Sequence, residues 1–297
     1  MPSRAGVRPA PLRVASHLAP GVEPLYAFLA GYLADRIGRR AEFVVAGSYA
    51  RCAQDLDDVC FVCSIPYLLF AAAGRIDMEV VAAPLLEGDR YAGRPIYFSD
   101  VIVSSASPHR SFGDLRGATW AYNEPFSHSG YVTVLHHLAT LGEEGSYFGR
   151  TVEAGHHQEA IRMVADGRID AAAIDSQVLD IELRDHAHLA GAVHRIGVIG
   201  PSTIQPVVVS RSRLTAAERR AITDALLGVA DDPEAREPLR RALVQRFAAV
   251  DDGSYDDIRR MFRRVRAAGL LDRSWEARWQ AIVDAIPNDQ PAVNPPA

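Results

Sequence analysis

Apolar residues in this chain alternate between short unbroken runs and a helical spacing. Residues 12–16, Leu-Arg-Val-Ala-Ser, form the first run and predict a strand. Leu25, Phe28, Leu29, Tyr32, Leu33 and Ile37 then fall on one side of a helix over 23–37. Further strands are predicted at 41–46, 58–64, 78–85 and 97–104. Helices are predicted at 49–56 and 66–73, the second opening on Pro66 in its first turn. Such alternation predicts an α/β layout of mostly parallel sheets flanked by helices.

The pattern restarts after Ser105. A turn-rich connector, Ser111-Phe-Gly-Asp-Leu-Arg-Gly117, leads to strands at 118–122, 151–153, 170–174 and 193–199. Helices at 131–141, 157–166 and 177–184 lie between them. This second unit is about 95 residues, an ordinary domain size. Residues 200–206 read as a return linker, and 206–210 as a strand rejoining the first unit. A helix over 215–229 carries a capping box, Thr215 with Glu218. The Arg-rich stretch 234–286 reads as helical, with Trp275 and Trp279 four apart on one face. The expected division is a first lobe of 12–104 plus 206–286, a second lobe of 105–205, and flexible tails at 1–11 and 287–297. Two crossings make a hinge with a cleft between the lobes. Ligands of open α/β sheets sit beyond the carboxyl ends of the strands.

Composition narrows the function. The 297 residues are 48% hydrophobic and 23% charged, with a formal net charge of −5, as in ordinary globular proteins and without a basic field for nucleic acid. The chain has no lysine, which excludes a lysine Schiff base and a P-loop lysine. No apolar run is long enough to span a membrane. Residues 1–11 carry Arg4 and Arg8 followed by prolines, with no apolar core of a secretory signal, so the sequence as written reads as cytoplasmic and leaves the location unknown. Of the three cysteines, Cys52, Cys60 and Cys63, the last two sit three apart on a predicted strand and point to opposite faces, which argues against a chelate. No metal and no cofactor are expected.

The candidate chemistry lies at Asn123-Glu-Pro-Phe-Ser-His-Ser-Gly130. Ser127 and Ser129 would bring hydroxyls, and Gly130 a bare backbone, to the opening of a helix. Helix amino ends present unpartnered N–H groups and the positive end of the dipole, a receptor for an oxyanion. Serine is equally an ordinary capping residue, so both readings stand on the local pattern. His128 would add a donor or point to solvent. Glu124 precedes the turn and would repel an anion directly, so it is expected on a ligand cation or a neighbouring arginine. Tyr49, Ser64, Tyr67 and Tyr97 sit at strand ends or helix starts, able to cover a ligand on closure or to pack in the core. Adjacent Ser-His-Ser lacks triad geometry, and His156-His157 lacks the spacing of a zinc helix.

These segments resemble a known family. The carriers are Tyr97 to Val103, Ser111 to Gly117, Asn123 to Gly130, Gly155-His-His-Gln-Glu159, the run 164–172 with Ile174-Asp175, and Gly200-Pro-Ser-Thr-Ile-Gln-Pro206. Together they resemble the phosphate/phosphite/phosphonate group of solute receptors of ABC importers, which have the type II periplasmic-binding-protein fold. The resemblance implies a monomeric Venus-flytrap receptor that is not an enzyme. It implies an oxyanion on the Ser-x-Ser-Gly turn, His157 hydrogen-bonded to the ligand, and Asp175 near its tail or capping the next helix. It also implies an ABC permease as partner. The departures are His128, where threonine is usual, and the export signal not found in 1–11. The alternatives are a cytosolic sensor on the same fold, or a same-fold enzyme of pyrimidine or menaquinone-precursor metabolism.

Overall fold

The computed structural model describes residues 10–271 and 273–286. Its strands in chain order are β1 (Leu12–Ser16), β2 (Ala41–Val45), β3 (Val59–Phe61), β4 (Met78–Leu86), β5 (Ile96–Ser104) and β6 (Thr119–Tyr122). They continue with β7 (Arg150–Glu153), β8 (Ala171–Asp175), β9 (Val193–Thr203), β10 (Val207–Ser210) and β11 (Val244–Ala248). The helices are α1 (Glu23–Arg36), α2 (Ala50–Ala53), α3 (Ser64–Ala72), α4 (Thr133–Leu141), α5 (His157–Ala165) and α6 (Ser176–Asp185). After these come α7 (Ala187–Ala192), α8 (Ala216–Gly228), α9 (Arg236–Arg241), α10 (Asp256–Ala267) and α11 (Arg273–Asp284).

Two sheets form, in the orders β11-β4-β10-β3-β1-β2 and β7-β6-β8-β5-β9. Both are mixed rather than mostly parallel, and the hinge is the reason. The chain leaves the first sheet at the carboxyl end of β4 and re-enters at the amino end of β10. So β10 must run against both β3 and β4. In the same way β5 enters the second sheet from the hinge and runs against β8 and β9. The strands that do not cross, β1 with β2 and β3, and β6 with β7 and β8, are parallel as expected.

Strand β5, expected in the first lobe with 12–104, therefore belongs to the second sheet. The crossings lie at 87–95 and 204–206, because β9 runs on to Thr203 instead of stopping before Gly200. The tail is not wholly helical. Val244 and Phe247 are buried in β11, an edge strand against β4. The capping box Thr215–Glu218 is present in both directions, with Glu218 N–H to Thr215 Oγ1 at 3.2 Å and Thr215 N–H to Glu218 Oε2 at 2.9 Å.

One core packs α1, α8 and α9 on the first sheet, where Tyr26 stacks on Phe61 with ring centroids 4.1 Å apart. A second core runs from Val62 and Ile65 of the first lobe to Trp120 and Val132 of the second, joined by Tyr255 and Ile258. The last helix reaches both lobes. Trp275 Nε1 donates to Pro125 O at 2.8 Å, and Trp279 packs on both Phe70 and Phe126. Asp100 on β5 is fully buried and receives a forked pair of bonds from Arg90 in the outgoing crossing and one from Arg195. A buried carboxylate is tolerated there because it is paired on both oxygens.

Candidate ligand-binding site

The carboxyl ends of β1, β2, β6, β7 and β8 converge on a cavity of about 580 Å³ between the two lobes. His17, Glu23, Tyr26 and Tyr49 line it from the first lobe. Asn123, Glu124, Ser127, Ser129, His156, His157 and Asp175 line it from the second, and Gln205 from the returning crossing. Among the described residues no arginine lines it.

The Ser127 turn closes more widely than an α-helical one. Val132 N–H donates to Ser127 O at 3.1 Å, an i→i+5 bond, before α4 begins at Thr133. Such insertions occur preferentially at functional sites. Ser127 Oγ caps the turn by accepting from Gly130 N–H at 3.1 Å, so that N–H is already satisfied. Ser127 and Ser129 both line the cavity at this amino end of the helix. Ser129 Oγ and His157 Nε2 are 3.2 Å apart, which ties this turn to the start of α5.

Gly130 serves a different purpose from the expected one. Its Cα faces protein, since a Cβ there would collide with the Asn123 amide oxygen and meet His157 Cε1 at 3.1 Å. The missing side chain admits Asn123 and His157, not the ligand. His128 is also redirected. It is fully buried, its Nε2 lies 3.0 Å from Thr133 Oγ1, and it is absent from the cavity wall. Burial pushes its pKa down to about 3.

His157 is buried and lines the cavity, and desolvation pushes its pKa down to about 3, so it is a neutral imidazole. Its Nδ1 has no partner among the described residues. Asn123 Oδ1 and both ring nitrogens of His17 are likewise buried and unpartnered. Folded proteins leave few such groups, and these four atoms belong to residues that line the cavity.

Asp175 caps α6, with Oδ1 accepting from Gln177 N–H at 2.8 Å and Val178 N–H at 3.3 Å. Its Oδ2 accepts from Gln205 Nε2 at 2.8 Å, tying the second lobe to the hinge. Burial raises its carboxyl to about 6, against the pull of those bonds. Glu124, half-buried at the cavity wall, is raised to about 7 by desolvation. It receives the Tyr49 hydroxyl at 2.8 Å, which is the partner found in place of the expected arginine or ligand cation.

The other expected residues divide. Tyr97 is buried behind the turn, its ring 6.2 Å from that of His128 and its hydroxyl unpartnered, and it does not reach the cavity wall. Ser64 is fully buried in the first turn of α3, outside the cavity. Tyr67 turns the other way and donates to Asp252 Oδ1 at 2.8 Å. A position in the first turn of α3 allows either direction, and the C-terminal segment supplies an acceptor. His17, Asn123 and Gln205 were not singled out from the sequence. Each immediately follows a strand or lies in the hinge, the signal that would have found them.

Two lobes joined by two crossings, with a cavity that carries converging polar side chains at the carboxyl ends of their parallel strands, define a two-lobed binding protein of the type II periplasmic-binding-protein fold. Residues 16–255 match the family of periplasmic substrate-binding proteins of ABC phosphonate transporters, and the chain belongs to that family. Among solved structures, it is similar to a binding protein component of an ABC phosphonate transporter from Pseudomonas aeruginosa. The identity is 17%, coverage is 94% of this chain and 96% of the other, and the TM-score is 0.75. It is also similar to PhnD1 from Prochlorococcus marinus in complex with methylphosphonate, at 14% identity, 86% and 98% coverage and a TM-score of 0.74. The alkanesulfonate-binding protein SsuA from Xanthomonas axonopodis pv. citri, bound to MOPS, is 20% identical, with 90% and 96% coverage and a TM-score of 0.63.

Proposed function

We propose that the cleft captures a phosphonate, with its oxyanion on the Ser127–Ser129 turn and its tail toward Glu124 and Asp175. The observation that carries this reading is the makeup of the cavity wall. Its donors are neutral hydroxyls, amides and imidazoles, and its charged groups, Glu23, Glu124 and Asp175, are all acidic. Converging neutral donors hold an oxyanion once water is excluded. The carboxyls favour a ligand that also carries a cation or a donor. Hinge closure would bury the anion and strengthen each bond in the lower dielectric.

The family is periplasmic, and we infer that capture takes place outside the cytoplasm and hands the ligand to an ABC permease. Cell fractionation checks the location. Calorimetry with methylphosphonate, an aminoalkylphosphonate, phosphate and sulfate checks the ligand. The expected order places the aminoalkylphosphonate first and sulfate last. Replacing Ser127→Ala and Ser129→Ala together is expected to weaken phosphonate binding by about 1.5–3 kcal/mol for each bond lost to the anion. Unchanged affinity in that double variant rejects the placement.

A further inference from the structure

Behind the cavity wall lies a second cluster, which shares only His17 with the cavity lining. Cys52 on α2, Cys60 on β3 and His17 after β1 bring one ligand atom each to within 4.8 Å of one another. Ala15 pairs with Cys60 across the parallel ladder, which sets His17 above the end of β3. The Met78 thioether extends the cluster, with its Sδ 3.7 Å from Cys52 Sγ. All three cysteines are free thiols. Cys63 stands apart and directs its Sγ to Phe126 O at 3.7 Å.

Buried thiols alone behave as small apolar side chains and need no ligand. The imidazole does not fit that account. Both ring nitrogens of His17 are buried and have no hydrogen-bond partner among the described residues. A buried polar group left unsatisfied is destabilising, and native folds keep few of them. A cation on the cluster would satisfy one of its two nitrogens.

We propose that His17, Cys52 and Cys60 form a binding site for one soft, thiophilic cation, monovalent copper, with Met78 as an added sulfur ligand. The donor set selects the metal. Thiolate and thioether sulfur favour Cu(I), whereas Mg²⁺ and Ca²⁺ require oxygen. Structural zinc closes its tetrahedron with thiolate and imidazole, and a thioether has no part in that set. Binding involves no electron transfer. Each coordinating thiol releases its proton to solvent, the ion sheds its previous ligands, and two copper–thiolate bonds, one copper–thioether bond and one copper–nitrogen bond form. His17 also lines the cleft, which gives the ion an access route from solvent. The site does not depend on which anion occupies the cavity.

The test uses the full chain, reduced and kept under nitrogen, titrated with Cu(I) against the chelator bathocuproine disulfonate. One Cu(I) per chain is expected to leave the chelator. Cys52→Ser and Cys60→Ser are expected to lose that uptake, and Cys63→Ser to retain it. Because the serine variants can fail to fold, copper-edge X-ray absorption on the loaded wild type is the second measurement. It is expected to show sulfur neighbours together with an imidazole nitrogen. No uptake, loss of uptake in Cys63→Ser, a copper shell without sulfur, tighter binding of Zn²⁺ than of Cu(I), or a Cys52–Cys60 disulfide formed in preference to loading would each overturn the proposal. Methylphosphonate affinity of the copper-free protein is a separate measurement, so failure of one site leaves the other standing.

Discussion

The Tyr49 hydroxyl donates to the Glu124 carboxyl at 2.8 Å, joining the loop after β2 in the first lobe to the loop after β6 in the second. The same tyrosine stacks on His17, with centroids 5.6 Å apart, and meets the edge of Phe126 at 6.4 Å. One side chain thus connects both halves of the cleft at the cavity wall. The bond can form only when the lobes are near each other, so it contributes to closure and not to the folding of either sheet.

Tyr49→Phe removes that bond and keeps the ring. A hydrogen bond to a neutral partner contributes about 1 kcal/mol, and one to a charged partner about 1.5–3 kcal/mol. Methylphosphonate affinity is therefore expected to fall about fivefold to a hundredfold, while the melting temperature of the ligand-free protein stays close to wild type. Calorimetry and thermal melting on the same sample check both parts. Affinity equal to wild type would show that the bond does not contribute to closure.

The acidity of Glu124 provides a test with opposite signs for two ligands. Its carboxyl is raised to about 7. Below that pH it is neutral beside the cavity, and above it carries a negative charge. Methylphosphonate binding should weaken from pH 6 to 8.5 as this charge develops, and aminoalkylphosphonate binding should hold or strengthen. Glu124→Gln should flatten the difference between the two pH profiles, although the ligands keep their own ionisation. Identical profiles in wild type and Glu124→Gln would separate this residue from the ligand.

Burial of neutral histidines makes the fold sensitive to acid. His17 is lowered to about 4, and His128 and His157 to about 3, each mainly by desolvation. Between those values and 6.5 the unfolded chain binds the protons that the folded chain refuses, so stability falls as pH is lowered. Each histidine contributes up to about 1.4 kcal/mol per pH unit in that window. Glu124 and Asp175 act the other way, because their folded carboxyls hold protons up to about 7 and about 6 that the unfolded chain has released. Among these five groups, three against two leave a net loss from about pH 7 down to about pH 4. Urea midpoints at pH 7 and pH 5 measure it, and Glu124→Gln, lacking one opposing group, should show the steeper fall.

Much of this arrangement is legible along the chain because it is local. The turn at Ser127, the cap at Asp175 and the box at Thr215 each depend on neighbours a few residues away. What is not legible depends on distant partners. Tyr67 turns to Asp252, far along the chain, and nothing near Tyr67 predicts that acceptor. Strand β5 reads the same in either lobe, and only the direction in which the chain enters the second sheet assigns it there. Strand β11 is hidden because Val244 and Phe247, three apart, fit a helical spacing as well as they fit an irregular edge strand, whose register shifts between Val244 and Arg246.

Gly130 is where the local and distant readings conflict most directly. On the sequence, a glycine beside two serines invites a ligand to approach its backbone. In the fold the space at its Cα is filled by the Asn123 amide and by His157, two residues that also line the cavity. Gly130→Ala must displace both. The backbone cannot move easily, because Gly130 N–H is held by Ser127 Oγ and Val132 N–H by Ser127 O. Overpacking of this kind costs about 1–3 kcal/mol of stability. The larger consequence falls on the site, since Asn123 and the Ser129–His157 pair shift together. Phosphonate binding is expected to be lost while the variant still melts cooperatively. Gly142→Ala, at the open left-handed end of α4, should lose stability through backbone strain with binding unchanged. If Gly130→Ala binds as tightly as wild type, the packing of Asn123 and His157 on this turn does not position the anion.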